Sequence, residues 1–281
     1  MQLQRFDNIQ EFWQSTQNYL LQDEAEHNAL LGILQTILHY PECYPESPYL
    51  ALVQNKSLIL AIAIQTPPNN LLLSKVEDFN ALPLIAQDLQ QVSLPGVSGL
   101  VAETSAFVQT WHTLTGQSYH RELESRIYQL TQVNPIAIAP GTLRPATEDD
   151  RPLLMQWFTE FNAGMDVVGN DEIERLVNVQ LKRQSIYLWE DGIPVSMVGG
   201  RPFSPTSARI APVYTPPEHR RKGYATAGVA ALSQRFLDQG CDRCFLFTDL
   251  ANPTSNSIYQ KIGYYPVCDW HEYAFISARS S

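Results

Sequence analysis

The feature that most constrains the fold is a strand that ends in two prolines and leads into a basic turn and an alanine-rich helix. The strand is predicted over Ala208 to Thr215, and the helix over Lys222 to Asp238, where Gly240 ends it. Pro216 and Pro217 stop sheet pairing, because proline has no backbone N–H to donate. The pattern predicts an α/β protein in which a strand delivers the chain directly to a helix N-terminus.

The turn Arg220-Arg221-Lys222-Gly223 has the composition of an anion-binding site. A helix N-terminus presents unpaired N–H groups and the positive end of the helix dipole. Gly223 lets the backbone approach a ligand closely, and the arginine and lysine side chains suit a pyrophosphate. Ala225, Ala227 and Gly228 keep the first turns of the helix slim. The alternative interpretation is an ordinary solvated helix start.

Two motifs resemble those of a known family. Arg220-x-x-Gly223-x-Ala225 is similar to the acetyl-CoA signature of the GNAT N-acetyltransferase superfamily, Gln/Arg-x-x-Gly-x-Gly/Ala. The flanking run from Val213 to Arg220 resembles the subgroup that includes the C-terminal half of glycine N-acyltransferases. Asn252 to Tyr264 resembles the later family motif, an Asn followed seven residues on by a Tyr and then a Gly-aromatic pair. The resemblance covers about Leu143 to Ile276 and implies an N-acyltransferase that uses acetyl-CoA as co-substrate.

The resemblance also implies roles for individual residues. Backbone groups that pair with the pantetheine arm belong to Val213, Tyr214 and Thr215. Residues of the basic turn and the helix start that hold the pyrophosphate are Arg220, Arg221, Lys222, Gly223, Tyr224 and Ala225. Residues that line the other side of the cofactor are Asn252 and Ser255. The resemblance places Tyr259 near the sulfur.

The chemistry of acyl transfer fits these residue types. An amine attacks the thioester carbonyl, and a fixed backbone N–H at the strand end can stabilise the charge on that oxygen. The departing thiolate needs a proton, and a phenol of pKa about 10 such as Tyr259 can supply it to a thiolate whose thiol has a pKa of about 8.5. Packing of a helix aromatic on the sheet is the alternative interpretation of Tyr259.

The general base is not fixed by the motifs. Some family members carry a Glu on the central strand about eleven residues before the signature Arg, and this chain has Arg209 there, so that role does not transfer. Glu218 is the candidate carboxylate nearest to the signature, although a turn residue facing solvent would look the same. A bound water, or an amine that arrives neutral, would also serve.

The two halves of the chain have the same predicted order of elements: helices, hairpin, strand, helix, strand, helix and strands. In the first half, Val97 to Glu103 is predicted as a strand and Gly116 as the C-cap of the helix that follows. In the second half, Thr147 is predicted as an N-cap, and strands are predicted over Ser185 to Trp189 and Pro194 to Gly199, with a hairpin turn at Asp191-Gly192. Tyr264 to Ile276 is predicted as a terminal hairpin. We therefore expect two tandem GNAT-like mixed-sheet domains at residues 1–133 and 143–281, joined by a linker at 134–142 that is rich in proline and glycine. In the first half, Leu71 to Asn80 stands where the pyrophosphate loop should be, yet it has no glycine, no arginine and two acids.

The first domain is therefore expected to be a degenerate copy that binds no CoA. It could shape the acceptor pocket at the domain interface, a common location for ligand sites. Trp111 is expected near the place of the tyrosine. The alternative role for this domain is a packing or dimerisation module, so a homodimer stays open.

Composition limits the partners. The formal net charge of −10 disfavours broad binding to nucleic acid, which needs a basic surface. No run reaches the roughly 18 apolar residues of a membrane span, and the N-terminus has no signal pattern, so a cytoplasmic protein is expected without a membrane partner. The acceptor is expected to be a primary amine on a small molecule or a protein, and the acidic surface favours a cationic one.

Two other functions fit parts of the sequence. A non-catalytic acyl-CoA sensor would have the same cradle. A zinc-binding interaction module would use Cys241, Cys244, Cys268 and His271, whose spacing is similar to that of Cys₃His sites. Successive residues of a strand face opposite sides of the sheet, so these ligands are not expected to converge, and no metal site is predicted.

Overall fold

The computed structural model describes residues 1–44, 46–163 and 169–276. The chain forms two compact units. The N-terminal unit consists of Met1–Ile127, Phe247–Pro253 and Pro266–Ser281, and the C-terminal unit consists of Tyr128–Leu246 and Thr254–Tyr265. None of the described helices is both long and apolar enough to cross a lipid bilayer.

Both halves of the chain have the same succession of elements. The first half contains β1 (Gln2–Arg5), α1 (Ile9–Leu20), α2 (Glu24–His39), β2 (Tyr49–Asn55), β3 (Leu58–Gln65), β4 (Leu71–Leu73), α3 (Leu82–Leu89), β5 (Gly96–Leu100), α4 (Val101–Thr115) and β6 (Tyr119–Leu130). The second half contains β7 (Thr142–Pro145), α5 (Arg151–Asn162), α6 (Asn170–Lys182), β8 (Ile186–Asp191), β9 (Ile193–Pro202), β10 (Ser207–Tyr214), α7 (Tyr224–Asp238), β11 (Arg243–Asp249), α8 (Pro253–Ile262) and β12 (Tyr265–Phe275). The predicted tandem α/β architecture is confirmed.

Each unit has a mixed sheet. In the N-terminal unit β1 to β4 pair in sequence as antiparallel neighbours, β4 and β5 are parallel, and β12 pairs antiparallel with β5, with Trp270 opposite Leu100. In the C-terminal unit β7 to β10 are antiparallel neighbours, and β10 runs parallel to β11. The compact units therefore differ from the predicted contiguous ranges 1–133 and 143–281, because the last strand of the chain pairs within the first unit.

Two predicted elements are corrected by the structure. Val97 to Glu103 was expected to be a strand, but the strand ends at Leu100 and α4 begins at Val101, since pairing with β12 ends at Leu100. The segment Tyr264 to Ile276 was expected to be a hairpin, but β12 is one continuous strand, five residues of which pair with β5.

The core of the C-terminal unit holds α7 against the sheet. Val229, Leu232 and Phe236 of α7 pack with Val198 and other buried sheet residues. A Cβ on Gly228 would lie 2.7 Å from the Val198 side chain, so the glycine lets the helix lie close to β9.

Residues 134–141 of the predicted linker have no regular secondary structure, and Thr142 begins β7. The linker packs on the C-terminal unit. Ile136 packs on the cluster that contains Val229, and Ala139 packs on a cluster that contains Tyr224. The Trp189 indole donates to the carbonyl of Pro140 at 2.9 Å.

Candidate functional site

An open strand edge lies at the centre of the C-terminal unit. β10 and β11 pair in parallel from Ser207 opposite Arg243 to Arg209 opposite Phe245, where their described ladder ends. β10 continues to Tyr214, paired on its other side with β9. Beyond Arg209, the edge of β10 that faced β11 is therefore available to an extended ligand.

A β-bulge shapes this edge. Ile210 lies opposite Gly200 and Val213 lies opposite Val198, so β10 carries one extra residue at this point. Gly199 lies beside the bulge, where an added Cβ would be only 2.3 Å from the carbonyl oxygen of Ala211. Only glycine fits there, because the obstacle is backbone rather than a side chain that could move.

The backbone groups of Val213 face the open edge. The Ser196 hydroxyl, which is fully buried, donates to the carbonyl of Tyr214 at 2.9 Å, so the polar groups of Tyr214 point towards β9. Backbone groups alternate in direction along a strand, and those of Val213 therefore point the other way. Ser196 also lies 2.8 Å from the Thr215 hydroxyl, which fixes the end of the strand.

The basic turn that follows has the conformation of an anion cradle. Arg221 (φ 64°) and Gly223 (φ 86°) have left-handed backbone conformations, and none of the described side chains caps the N-terminus of α7. The unpaired amides of the first helical turn are therefore available to a ligand, and turns of this kind form anion-binding nests. Arg221, Lys222 and Gly223 are exposed.

Two side chains of this region are directed elsewhere. The Arg220 guanidinium Nε donates to the carbonyl of Thr215 at 3.0 Å. The Tyr224 hydroxyl donates to Asp191 at 2.7 Å, which raises the pKa of Tyr224. An anion at this turn would accordingly meet backbone amides together with the side chains of Arg221 and Lys222.

Tyr259 lies on α8 against the apolar cluster on which Val213 also packs. Its ring is half-buried and meets the Tyr264 ring edge-on at 6.1 Å. Burial raises the pKa of Tyr259 to about 12, so the phenol stays protonated throughout the physiological range. Its hydroxyl forms no hydrogen bond with the residues that the structure describes, which leaves its proton available to a ligand.

The remaining predicted residues lie in three places. Ser255 is half-buried on the first turns of α8. Asn252 is exposed, belongs to the N-terminal unit, and donates its backbone N–H to Asp249 at 3.0 Å. Glu218 is exposed on the 3₁₀ turn Pro217–His219. Among the described residues, no hydrogen bond joins Glu218 to Tyr259. The role of Glu218 as the general base therefore stays a prediction.

Sequence reasoning missed three residues of this site. Gly199 was treated only as the end of a strand, although the pair Gly199-Gly200 inside an apolar strand is a signal for a bulge. Ser196 and Glu160 gave no local signal. The Tyr214 hydroxyl donates to Glu160 at 2.6 Å, and this hydrogen bond holds the pKa of Glu160 below its usual value.

The corresponding strand end in the N-terminal unit is occupied by the unit's own side chains. The Lys75 N–H donates to His27 Nε2 at 3.2 Å, and the Tyr19 hydroxyl donates to the Lys75 carbonyl at 2.9 Å. The Val76 N–H donates to Glu103 at 3.3 Å. The backbone that would pair with a pantetheine arm is therefore already satisfied.

The segment Leu71 to Asn80 also lacks a cradle. Asp78 accepts the N–H of Asn80 at 3.0 Å, so a carboxylate already bonds an amide that an anion would need. Trp111 is buried, stacks on Phe107, and donates its indole N–H to Gln117 at 2.8 Å. Its surroundings are those of a core residue.

The cysteines were the other candidate site. Cys244 is buried and its thiol lies 3.7 Å from the carbonyl of Ser233, and burial raises its pKa to about 12. Burial likewise raises the pKa of Cys268 to about 12, and Cys268 belongs to the other unit. Among the described residues, no group of three or more His, Cys, Asp or Glu side chains is arranged to hold a metal ion.

Residues 153–264 match the model of the acetyltransferase (GNAT) family. The match spans the open edge of β10, the basic turn and Tyr259. Together with the fold, the match supports a transferase.

Solved structures show the same fold over the whole chain. A Drosophila protein is 11% identical with a TM-score of 0.69, and the alignment covers 98% of each chain. A GNAT-family acetyltransferase from Colwellia psychrerythraea is 13% identical with a TM-score of 0.59, covering 98% of this chain and 100% of that one. A tandem GNAT protein from the clavulanic acid biosynthesis pathway is 10% identical with a TM-score of 0.61, covering 100% and 99%. No curated protein sequence matches the chain.

Proposed function

We propose that this protein transfers an acetyl group from acetyl-CoA to a primary amine of a small molecule or a protein. The observation that carries the proposal is the open edge of β10, which leads within ten residues to an exposed, uncapped and basic helix N-terminus. An extended thiol arm that ends in a pyrophosphate has the matching shape and charge. The likeness of Val213 to Arg220 to glycine N-acyltransferases supports the same reaction class.

The residues of the site act at different atoms. Backbone groups of Val213 bond the thioester arm, and its N–H can stabilise the oxygen that gains charge. The amides of the basic turn hold the pyrophosphate. The amine nitrogen forms a bond to the carbonyl carbon, the carbon–sulfur bond breaks, and Tyr259 gives its proton to the sulfur. The proton lost by the amine goes to water or to Glu218, and the Tyr259 phenolate regains a proton from water.

Burial of Tyr259 affects the proton transfer in two ways. A pKa of about 12 keeps the donor protonated, but it makes the phenol a weaker acid than free tyrosine. A thiolate that forms in the same apolar surroundings is also destabilised by burial, which raises its proton affinity. Both pKa values are raised, so the difference in pKa between Tyr259 and the CoA thiol is smaller than the value for Tyr259 alone suggests.

We further propose that only the C-terminal unit binds acetyl-CoA. The bonds from Tyr19, His27 and Glu103 to the segment after β4 support this, since a ligand would have to displace all three.

Calorimetric titration of acetyl-CoA tests the proposal. We expect wild type to bind one equivalent and Arg221→Glu, Gly223→Glu to bind none. The matched control is Lys56→Glu, Gly116→Glu in the N-terminal unit, which also changes a basic residue and a glycine with left-handed backbone (φ 57° and 73°). The control should bind as wild type does. Absence of binding to wild type would refute the proposal, and two equivalents would refute the assignment to one unit.

A non-catalytic acyl-CoA sensor is distinguished by turnover. Release of the CoA thiol is followed with a panel of primary amines, for wild type and for Tyr259→Phe. An enzyme releases thiol only when an amine is present, and Tyr259→Phe slows this release while its affinity for acetyl-CoA is unchanged. A sensor binds acetyl-CoA and gives no turnover with any amine of the panel.

A further inference from the structure

The end of β10 is joined to α5 through a tyrosine and a carboxylate. The Tyr214 hydroxyl donates to Glu160 Oε2 at 2.6 Å, and Gln156 donates to Glu160 Oε1 at 2.8 Å. The Tyr214 ring packs against Trp157 and Phe161 of the same helix, at 6.3 and 6.4 Å between ring centroids. The backbone of Tyr214 thus lies at the strand end of the site, and its hydroxyl, at the far end of the side chain, contacts Glu160.

Glu160 has capacity for another partner. A carboxylate offers about four lone-pair positions, and the two hydrogen bonds from Tyr214 and Gln156 use two of them. Glu160 is half-buried, and Phe161 beside it is exposed. A carboxylate next to an exposed aromatic ring is a combination that favours ammonium groups.

The charge of Glu160 is maintained but not neutralised by a direct partner. The hydrogen bond from Tyr214 holds the pKa of Glu160 below its usual value, with further help from the Arg220 charge, so the side chain is ionised at neutral pH. Arg220 donates its Nε to the Thr215 carbonyl, and no ion pair within the described residues joins it to Glu160. A proton acceptor needs a higher pKa than this, so Glu160 suits recognition of charge better than general base catalysis.

We propose that Glu160 is a specificity-determining residue that binds a positively charged group of the acceptor. This inference rests on the proposed function, which places the reacting thioester at the backbone of Val213, the residue before Tyr214. Because Glu160 lies at the far end of the Tyr214 side chain, the group that it binds is not the attacking amine. The acceptor is therefore a primary amine that carries a second positive charge about one tyrosine side chain away.

The test uses two probes that differ only in that charge: 1,4-diaminobutane and butylamine. Each is titrated into wild type saturated with CoA, which has no acetyl group to transfer, and into Glu160→Gln under the same conditions. Wild type should bind the diamine at least ten-fold more tightly than the monoamine. Glu160→Gln should bind both alike, because its amide oxygen still accepts from Tyr214 while the charge is gone.

A control variant separates local from general charge effects. Glu174→Gln removes the same charge from an exposed position on α6 and should bind both amines as wild type does. Diamine affinity that is unchanged in Glu160→Gln would overturn the proposal, as would wild type that binds the two amines alike or binds neither. Both variants should retain the wild-type affinity for acetyl-CoA, whereas failure of the proposed function would appear as wild type that does not bind acetyl-CoA.

Discussion

Replacement of Gly223 by alanine tests whether the left-handed backbone of the basic turn is needed for acetyl-CoA binding, apart from its effect on the stability of the protein. Gly223 has a left-handed backbone (φ 86°), and an added Cβ would meet only the Ala139 Cβ at 3.6 Å, an ordinary contact. The cost is therefore in the backbone, about 1–2 kcal/mol for an L residue in this conformation. Loss of unfolded-state freedom offsets about 0.4–1 kcal/mol of it. The free energy of unfolding should fall by about 1 kcal/mol, which lowers the Tm by roughly 2–4 °C for a domain of this size.

The effect on the ligand should be larger. The αL backbone at Gly223 orients the amides that we propose to bind the pyrophosphate, and a hydrogen bond to a charged group contributes about 1.5–3 kcal/mol. Loss of one such bond raises the Kd for acetyl-CoA roughly 10- to 150-fold. Calorimetric titration measures the affinity, and differential scanning calorimetry measures the Tm.

Gly116→Ala is the matched control. Gly116 ends α4 with φ 73° and has no atom within 4 Å of an added Cβ, so alanine there has the same backbone cost in the other unit. We expect a similar loss of stability and an unchanged Kd for acetyl-CoA. The reasoning fails if Gly223→Ala binds acetyl-CoA as wild type does, or if both variants lose affinity equally.

Three further results are expected. Gly199→Ala should lower the free energy of unfolding by about 1–3 kcal/mol and abolish acetyl-CoA binding, because its Cβ would overlap with the Ala211 carbonyl. Urea denaturation and calorimetric titration measure the two effects, and a variant that binds acetyl-CoA with wild-type affinity would contradict the prediction. Tyr259→Phe should lower kcat at least ten-fold with an unchanged KM for acetyl-CoA. The turnover of wild type should not fall at alkaline pH until the pH approaches about 12, and a fall centred near pH 10 would argue against Tyr259 as the proton donor. Burial lowers the pKa of His27, so the folded state favours the neutral imidazole. The stability that His27 contributes is complete above its ordinary pKa of about 6.5 and is lost as the pH falls through the pKa of the folded state. In urea denaturation, the free energy of unfolding should therefore fall more steeply with acidification in wild type than in His27→Gln.

The elements that local chemistry determines could be predicted from the sequence. Asp191-Gly192 forms the expected hairpin turn, with Gly192 at φ 72°, and Gly116 ends α4 as a left-handed C-cap. Thr147 forms the expected cap, completed by Asp150 as a capping box. The strand, basic turn and helix around Gly223 lie where the motif predicts them, because each depends on neighbours in sequence.

Features that depend on distant partners could not be predicted. Pairing of β12 with β5 joins residues about 170 positions apart, and no local pattern specifies it. The contact of Glu160 with Tyr214 spans 54 positions, so Glu160 looked like any polar residue of an amphipathic helix. Ser196 is similar, since its bond to the Tyr214 carbonyl arises only after β9 and β10 have paired.

The side chains that occupy the strand end of the N-terminal unit come from three helices, with Tyr19 on α1, His27 on α2 and Glu103 on α4. Removal of His27 or Glu103 leaves the N–H of Lys75 or Val76 without its partner, at a cost of about 1–3 kcal/mol. The Lys75 carbonyl would keep its hydrogen bond from the Ser74 hydroxyl if Tyr19 were removed. A return to ligand binding would require all three side chains to change, through intermediates that lack one or both of these N–H hydrogen bonds and are therefore less stable. The same hydrogen bonds are present without a ligand. Any thermal stabilisation of the protein by acetyl-CoA should therefore arise from the C-terminal unit alone.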